Sequence, residues 1–355
     1  MQEIKIYRAE TLKEKPTGSK IPFGHFFTDH MFLMDYNTEK GWHDARIVPY
    51  GPLEIMPSAM VLHYAIEIFE GMKAYRTAEG KVQLFRPLEN LRRMNDSADR
   101  FCMPHVSEED FLNAVKTLVE LDQDWVPSEP DTSLYIRPFM FAVDQHVGVH
   151  TAHEYIFSII ICPVGSYYAE GINPVRIMIE QQDVRAVRGG TGYTKCGGNY
   201  AASIRAGDRA EKMGFTQVLW LDGVERKYIE EVGAMNVMFK INGKIVTPAL
   251  QGSVLPGITR KSSIELLRSW GYEVEERPLS IDELIAAAKD GTLEEAWGTG
   301  TAAVISPIGE IYYDGVDHVV ADGGIGEVTH RLYEEITSIQ WGKKADERGW
   351  IEPVC

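Results

Sequence analysis

The stretch GGTGYTKCGGNY, residues 189–200, sets one lysine, Lys195, among five glycines. A lysine on a solvated surface needs no such company. Glycine lets a backbone come close to a bulky neighbour and adopt positive φ. A lysine held there can meet a planar ring and attack its carbonyl. The amine is a nucleophile only when neutral, so burial or a nearby positive charge must lower its pKa. The same residues also fit a Gly-rich surface loop with a solvated lysine. The rest of the chain has to decide between the two readings.

The 355 residues leave room for two domains. A hydrophobic fraction of 44% and a charged fraction of 25% are those of a soluble globular protein. No window approaches the ~18 consecutive apolar residues of a membrane span, so no membrane partner is expected. The first twenty residues, MQEIKIYRAETLKEKPTGSK, have no apolar core of a secretory signal and carry three glutamates, against an organelle transit peptide. Cys102, Cys162, Cys196 and Cys355 are scattered without CxxC spacing. That pattern suits neither a disulfide framework nor a zinc site, and points to a reducing, cytoplasmic setting with no metal. A net charge of −16 disfavours nucleic acid.

Along the chain, apolar strand-like runs alternate with helix signals. Lys81–Phe85 reads as a strand and Leu88–Phe101 as a helix after Pro87. Ser107-Glu-Glu-Asp110 is a capping box opening a helix through Leu121. Ser133–Val143 and Glu154–Val164 are rich in β-branched and aromatic residues and read as strands. The turn-rich run GSYYAEGINP, from Gly165, is the expected link between domains. A second unit opens with Val175–Glu180, followed after Lys195 by a helix over Asn199–Met213 and a strand over Thr216–Asp222. Asn242-Gly243 joins two apolar runs as a hairpin turn. Ser280-x-x-Glu283 caps a further helix, and Ile325–Trp341 is an amphipathic one. The fold class is α+β with mixed sheets, divided as residues 1–165, a loop over 166–174 and residues 175–355.

Pyridoxal phosphate, held through a lysine, needs four further features. Its phosphate needs donors and positive charge. Gly257-Ile258-Thr259-Arg260 opens a helix whose N–H groups and dipole favour an anion, and Arg86, at the end of a strand, can supply a charge. Its pyridine nitrogen needs a carboxylate, for which Glu231 is the candidate, beside Glu230, with one of the two free to be solvated. A substrate carboxylate needs N–H donors, and Gly298-Thr-Gly-Thr-Ala302 is a turn able to form an anion nest. Phe23, Tyr64 and Phe69 supply apolar walls. Each also has an ordinary structural reading: Arg86 at the surface, the Gly/Thr run a plain turn, the aromatics core.

Taken in order, these stretches closely resemble the branched-chain amino acid aminotransferases, pyridoxal phosphate enzymes of fold type IV. The resemblance covers residues 20–345. It rests on FGHFFTDHM from Phe23, HYAIEIFEGMKAY from His63, QLFRPLENLRRM from Gln83, LYIRPFMF from Leu134 and GGTGYTKCGGNYAAS from Gly189. It continues through VLWLDG from Val218, EVGAMN from Glu231, LPGITRKS from Leu255 and GTGTAAVISPI from Gly298.

The resemblance implies two domains, the larger a pseudo-barrel, and a homodimer with its site at the domain interface. It implies that Lys195 is the Schiff-base lysine, Tyr200 the partner of the cofactor's phenolic oxygen and Glu231 that of its ring nitrogen. Arg86, the backbone of Ile258 and Thr259, and Thr301 would cradle the phosphate. Phe23, Tyr64, Phe69, Tyr135, Val149 and Ala302 would line the substrate pocket, with Val149 reaching in from the neighbouring subunit. Arg137 would meet the side-chain carboxylate of glutamate. The implied reaction is ping-pong transfer of the amino group of L-Leu, L-Ile or L-Val to 2-oxoglutarate. The nearest rivals are other fold type IV enzymes, a D-amino acid aminotransferase or an aminodeoxychorismate lyase. Tyr135-Ile-Arg137 and the EGMKAY stretch from Glu70 favour the branched-chain group. In one respect the chain departs from longer eukaryotic relatives. Their CxxC redox pair falls here on Ala303 and Ser306, so thiol regulation is not expected there.

Overall fold

A computed structural model describes residues 2–165 and 172–355. Most of the expected link over 166–174, the stretch 166–171, lies outside the described residues. Two compact units emerge: Met1–Ala169 with Thr194–Gly197 and Ser338–Cys355, and Glu170–Tyr193 with Gly198–Thr337.

The first unit is built on a nine-stranded sheet. From edge to edge it runs Lys5–Ile6, Gly41–Pro49, His30–Asn37, Glu154–Val164, Ser133–Ala142, Met72–Arg76, Val82–Phe85 and Ile351–Pro353, with Glu67–Phe69 also paired to Ser133–Ala142. All pairs but the first are antiparallel. Helices Pro87–Arg100 and Glu108–Leu121 bury Leu91, Met94, Phe111 and Leu118 in one core with Phe32, Ile136 and Phe157. The expected cap is present: the Asp110 N–H donates to Ser107 Oγ at 3.0 Å. Ile351–Pro353, for which the sequence gives no strand signal, pairs with Val82–Phe85 and returns the end of the chain to this sheet.

The second unit holds another nine-stranded sheet, in the order Ile229–Val232, Gln217–Leu221, Val175–Ile179, Val304–Tyr313, Leu293–Gly300, Asn236–Ile241, Lys244–Thr247, Val274–Glu276, with Val316–Val319 paired to Val304–Tyr313. It is mixed, as expected. Val175–Ile179 is parallel to both its neighbours, and Lys244–Thr247 is parallel to Val274–Glu276. Asn242 and Gly243, at φ 50° and 75°, turn the hairpin, the geometry a two-residue loop needs to match strand twist. Parallel neighbours need a long crossover. Between Val175–Ile179 and Gln217–Leu221 that crossover contains the glycine-rich stretch and the helix Gly197–Lys212. Lys195 stands just ahead of this helix.

Candidate active site

In the first unit, the backbone of Lys195 is pinned on both sides. Its N–H donates to Ser97 Oγ at 3.0 Å, and its carbonyl accepts from the Phe69 N–H at 2.9 Å. Gly197 donates to the Glu67 carboxylate, and a Cβ there would run into that carboxylate. Of the five glycines, Gly189 alone takes positive φ, at 79°. At Gly192 and Gly197 the absence of a side chain serves close approach to protein instead, to Ala186 and Ser253 and to Glu67. The Lys195 amine lies 4.8 Å from the Phe69 ring centroid. Loss of solvent, followed by the positive charge of Arg93, pushes its pKa down to about 8 against the pull of Glu70. Lys195 is thus half-buried rather than fully solvated, and the amine is partly neutral near physiological pH.

Glu70 is itself fully buried and doubly bound by Arg93, with Nε 2.7 Å from Oε1 and Nη2 2.8 Å from Oε2. Asn90 Nδ2 adds a third donor at 2.8 Å. Burial works to raise the Glu70 pKa, but Arg93 and Asn90 outweigh it and hold the carboxyl below its usual range. This compensated pair leaves a guanidinium near Lys195 without an unpaired buried charge.

An aromatic wall carries Arg137. Its guanidinium lies 4.5 Å from the Phe69 centroid and 5.3 Å from that of Tyr135, and Nη2 donates to the Tyr135 hydroxyl at 3.0 Å. Phe23 meets Tyr135 edge-on at 4.8 Å. Gly71 is required here, because a Cβ would overlap the Tyr135 hydroxyl. Arg137 Nε is buried and has no hydrogen-bond partner among the described residues. Tyr64 ends the short helix Met60–Tyr64 and packs against the first unit's core. Val149 is 81% exposed in the loop between Ser133–Ala142 and Glu154–Val164. Arg86 is half-buried, with its side chain 8% exposed rather than out in solvent: it stands at the N-cap of the helix Pro87–Arg100 with φ 50° and stacks over the Trp350 ring at 4.8 Å.

In the second unit, Glu231 lies on the strand Ile229–Val232, 4% exposed. Its Oε1 accepts from the Leu255 N–H at 2.8 Å, and Oε2 is 3.2 Å from Arg185 Nε. Glu230 is buried too, so neither acid is the solvated one. Successive strand residues point to opposite faces, and both faces of this strand are covered. Glu230 Oε1 accepts from the Ser253 hydroxyl, and burial raises its pKa. The helix Ile258–Ser269 opens with no side-chain cap and no acid in its first turn. Asn236 fixes the approach to it, donating to the Leu255 carbonyl at 2.9 Å and filling the place a Gly257 Cβ would take. Arg260 turns away from the helix start to Pro248 and Glu276. Gly298 and Gly300 pack against Met235, which leads the strand end to Thr301 and Ala302. Beside them Thr299 Oγ1 is buried with no hydrogen-bond partner among the described residues. Tyr200 lies half-buried on Gly197–Lys212.

These residues suit a phosphorylated pyridine. An uncapped helix start and an unsatisfied buried hydroxyl accept an anion, and a buried carboxylate 3.2 Å from the Arg185 guanidinium suits a protonated ring nitrogen. Sequence reasoning missed Arg93, Glu70 and Arg185, which act through other residues. The pairing of Glu70 with Arg93 lies inside stretches already quoted, EGMKAY and RPLENLRRM, but no spacing rule links them.

The depressed Lys195 pKa gives a direct test. In the cofactor-free chain, lysines reductively methylated with 13C and followed by NMR should show a resonance titrating near pH 8 that disappears in Lys195→Arg, while those of Lys73, which burial also brings to about 8, and of the α-amino group remain. A Lys195 resonance titrating with the bulk of the lysines, at ~10.4, would contradict the desolvated environment.

A model of the amino-transferase class IV family matches residues 67–311. The chain is 54% identical over 354 residues to branched-chain-amino-acid aminotransferase 2 of Bacillus subtilis (strain 168), covering 100% of this chain and 98% of that protein. Among solved structures it is similar to the branched-chain amino acid aminotransferase from Escherichia coli, with a TM-score of 0.74 and 28% identity over 92% of this chain and 99% of that one. It is also similar to the branched-chain aminotransferase from the thermophilic archaeon Thermoproteus uzoniensis with norvaline, with a TM-score of 0.73 and 25% identity over 92% and 100%.

Proposed function

The chain belongs to the class IV aminotransferase family, and on that premise we propose that it is a branched-chain amino acid aminotransferase. With the family goes the fold type IV architecture of two domains and mixed sheets, one a pseudo-barrel. The observation that carries the activity is identity along the whole chain with an enzyme named for it. The names of the relatives favour this reading over a D-amino acid aminotransferase or an aminodeoxychorismate lyase.

The cofactor of this reading is pyridoxal 5'-phosphate, which when bound supplies an electron sink for negative charge at the substrate's Cα. Lys195 would carry it, Arg86, Ile258, Thr259 and Thr301 would hold its phosphate, and Tyr200 and Glu231 its ring. Glu231 would keep a proton on the ring nitrogen, with the Arg185 guanidinium 3.2 Å behind it. Lys195 Nζ, partly neutral near pH 8, takes the proton from the substrate's Cα and gives it back in the reverse half-reaction. Phe23, Tyr64, Phe69, Tyr135 and Ala302 would enclose the side chain and exclude water. The exposed Val149 completes the pocket of the neighbouring subunit in a homodimer, and the enzyme works in the cytoplasm.

One pocket must take an apolar side chain and a carboxylate in turn. Leucine, isoleucine and valine differ by one methylene at most, worth ~1–3 kcal/mol, so all three should be accepted as donors. The second carboxylate of 2-oxoglutarate gains a charge-assisted hydrogen bond with Arg137, worth ~1.5–3 kcal/mol. The unpartnered Arg137 Nε supports this. Arg137→Met should raise KM for 2-oxoglutarate about tenfold or more. The leucine half-reaction, followed alone by its colour change in stopped flow, should slow much less. Equal slowing of both halves, with loss of the dimer on a sizing column, would instead make Arg137 a brace of the subunit interface. The activity itself is tested by a screen of amino donors with 2-oxoglutarate, in which the branched-chain L-amino acids should lead.

A further inference from the structure

In the first unit, the loop between Ser133–Ala142 and Glu154–Val164 gathers three histidines and an aspartate that the proposed reaction does not use. We propose that Asp144, His150 and His153 bind a divalent first-row transition metal ion of the zinc type. One ligand atom from each lies within 4.8 Å of the others. His150 Nε2 is 3.2 Å from Asp144 Oδ1, and His153 Nδ1 is 3.7 Å from the same oxygen. Two ligands of one tetrahedral zinc, each bonded at ~2.0–2.1 Å, stand ~3.3–3.4 Å apart. The His150–Asp144 pair has that spacing, and the exposed His153 ring needs only a small side-chain rotation to join them.

The surrounding contacts fix two of the three donors in place. Asp144 is held by backbone: Oδ1 accepts from the His153 N–H at 2.9 Å, and Oδ2 from the Glu154 N–H at 2.8 Å. The carboxylate therefore cannot swing away. His150 Nδ1 lies 2.7 Å from the Gly148 carbonyl oxygen and 3.2 Å from His146 Nδ1. A carbonyl only accepts, so His150 Nδ1 carries a hydrogen, and Nε2 is the ring atom turned toward Asp144, the position a metal ion would take in place of a proton. Fixing a ligand's tautomer through its other ring nitrogen is the usual support of a metal-bound histidine. An imidazole nitrogen and a carboxylate oxygen facing each other hold a cation between them, either a proton or a metal ion. Two imidazoles and one carboxylate suit zinc and its neighbours rather than magnesium or calcium, which take oxygen donors.

The site does not depend on the proposed activity, and its test reads metal directly. Holoenzyme without a polyhistidine tag is dialysed against about 10 μM zinc chloride in phosphate-free buffer, and bound metal is measured by elemental analysis. About one zinc per chain is expected, with tetrahedral N/O distances of ~2.0–2.1 Å by X-ray absorption. His150→Ala and His153→Ala, whose side chains are 28% and 62% exposed within the chain, should each lose it while keeping the native circular dichroism and the dimer. His105→Ala, which removes an exposed histidine paired with Asp99 at 2.7 Å, should keep it. Zinc should raise the melting temperature of the parent chain and not of the two loop variants. No stoichiometric uptake would mean that a proton alone bridges His150 and Asp144, and uptake unchanged in His150→Ala would place the metal elsewhere. Either result overturns the proposal.

Discussion

Lys195→Ala should abolish amino transfer, lowering kcat by about 10⁴-fold or more, because one amine serves both to hold the cofactor and to move the Cα proton. Cofactor should still bind more weakly, since the proposed phosphate donors at Ile258, Thr259 and Thr301 belong to other elements. The parent should be yellow and bleach with borohydride, and mass spectrometry should then find the pyridoxyl group on Lys195. Lowered basicity is shared with Lys73, which burial also brings to about 8, so the modified lysine has to be identified directly. An ordinary lysine is almost wholly protonated at neutral pH, whereas Lys195, brought to about 8, has a substantial neutral fraction. A pyridoxyl group on Lys73 or any other lysine, or turnover surviving in the variant, would remove Lys195 from its role.

Glu231→Gln should lower kcat by about a hundredfold or more, the order seen when one charge-stabilising group is taken from a reaction site. Cofactor occupancy should change less. The glutamine keeps an oxygen for the Leu255 N–H but loses the charge facing Arg185. That guanidinium is 7% exposed, and stripping a buried ion of its partner costs about 3–5 kcal/mol. The single variant should therefore also melt lower. The double variant Glu231→Gln with Arg185→Met should recover much of the stability and none of the rate. If the double variant recovers kcat as well, the loss came from the stranded arginine and Glu231 is a scaffold residue. If kcat is unchanged in the single variant, another acid holds the ring nitrogen.

Local signals in the sequence were the ones that read true. Ser107 and Ser280 accept from the N–H three residues on, at 3.0 and 3.1 Å, as their capping patterns require. Asn242-Gly243 makes its hairpin because those residues tolerate positive φ. What escaped was non-local. Arg185 and Glu231 are joined by the fold alone, as are Glu70 and Arg93. Arg260 looks like part of an anion cradle because it sits at a helix start, yet Glu276 and the Pro248 carbonyl claim it. The paired acids Glu230 and Glu231 suggest one solvated face, and the structure buries both. The glycines around Lys195 suggested room for a ligand, whereas Gly192 and Gly197 make room for the protein itself. Binding and positioning residues were thus legible where a motif carries them, and illegible where one buried charge answers another across the fold.

The return of Ile351–Pro353 to the strand Val82–Phe85 has a consequence for how the molecule is made. A growing chain emerges from its amino end, and domains generally fold as units during synthesis. Here the first sheet lacks an edge strand until the last segment, Ser338–Cys355, has appeared. Everything in Gly198–Thr337 is translated before that. The half begun first is therefore the half finished last, and until then Val82–Phe85 has an open edge able to pair with other nascent chains. Ribosome-bound intermediates stalled before residue 338 should show protease protection in the second unit ahead of the first, and this interval is where a chaperone would have most to do.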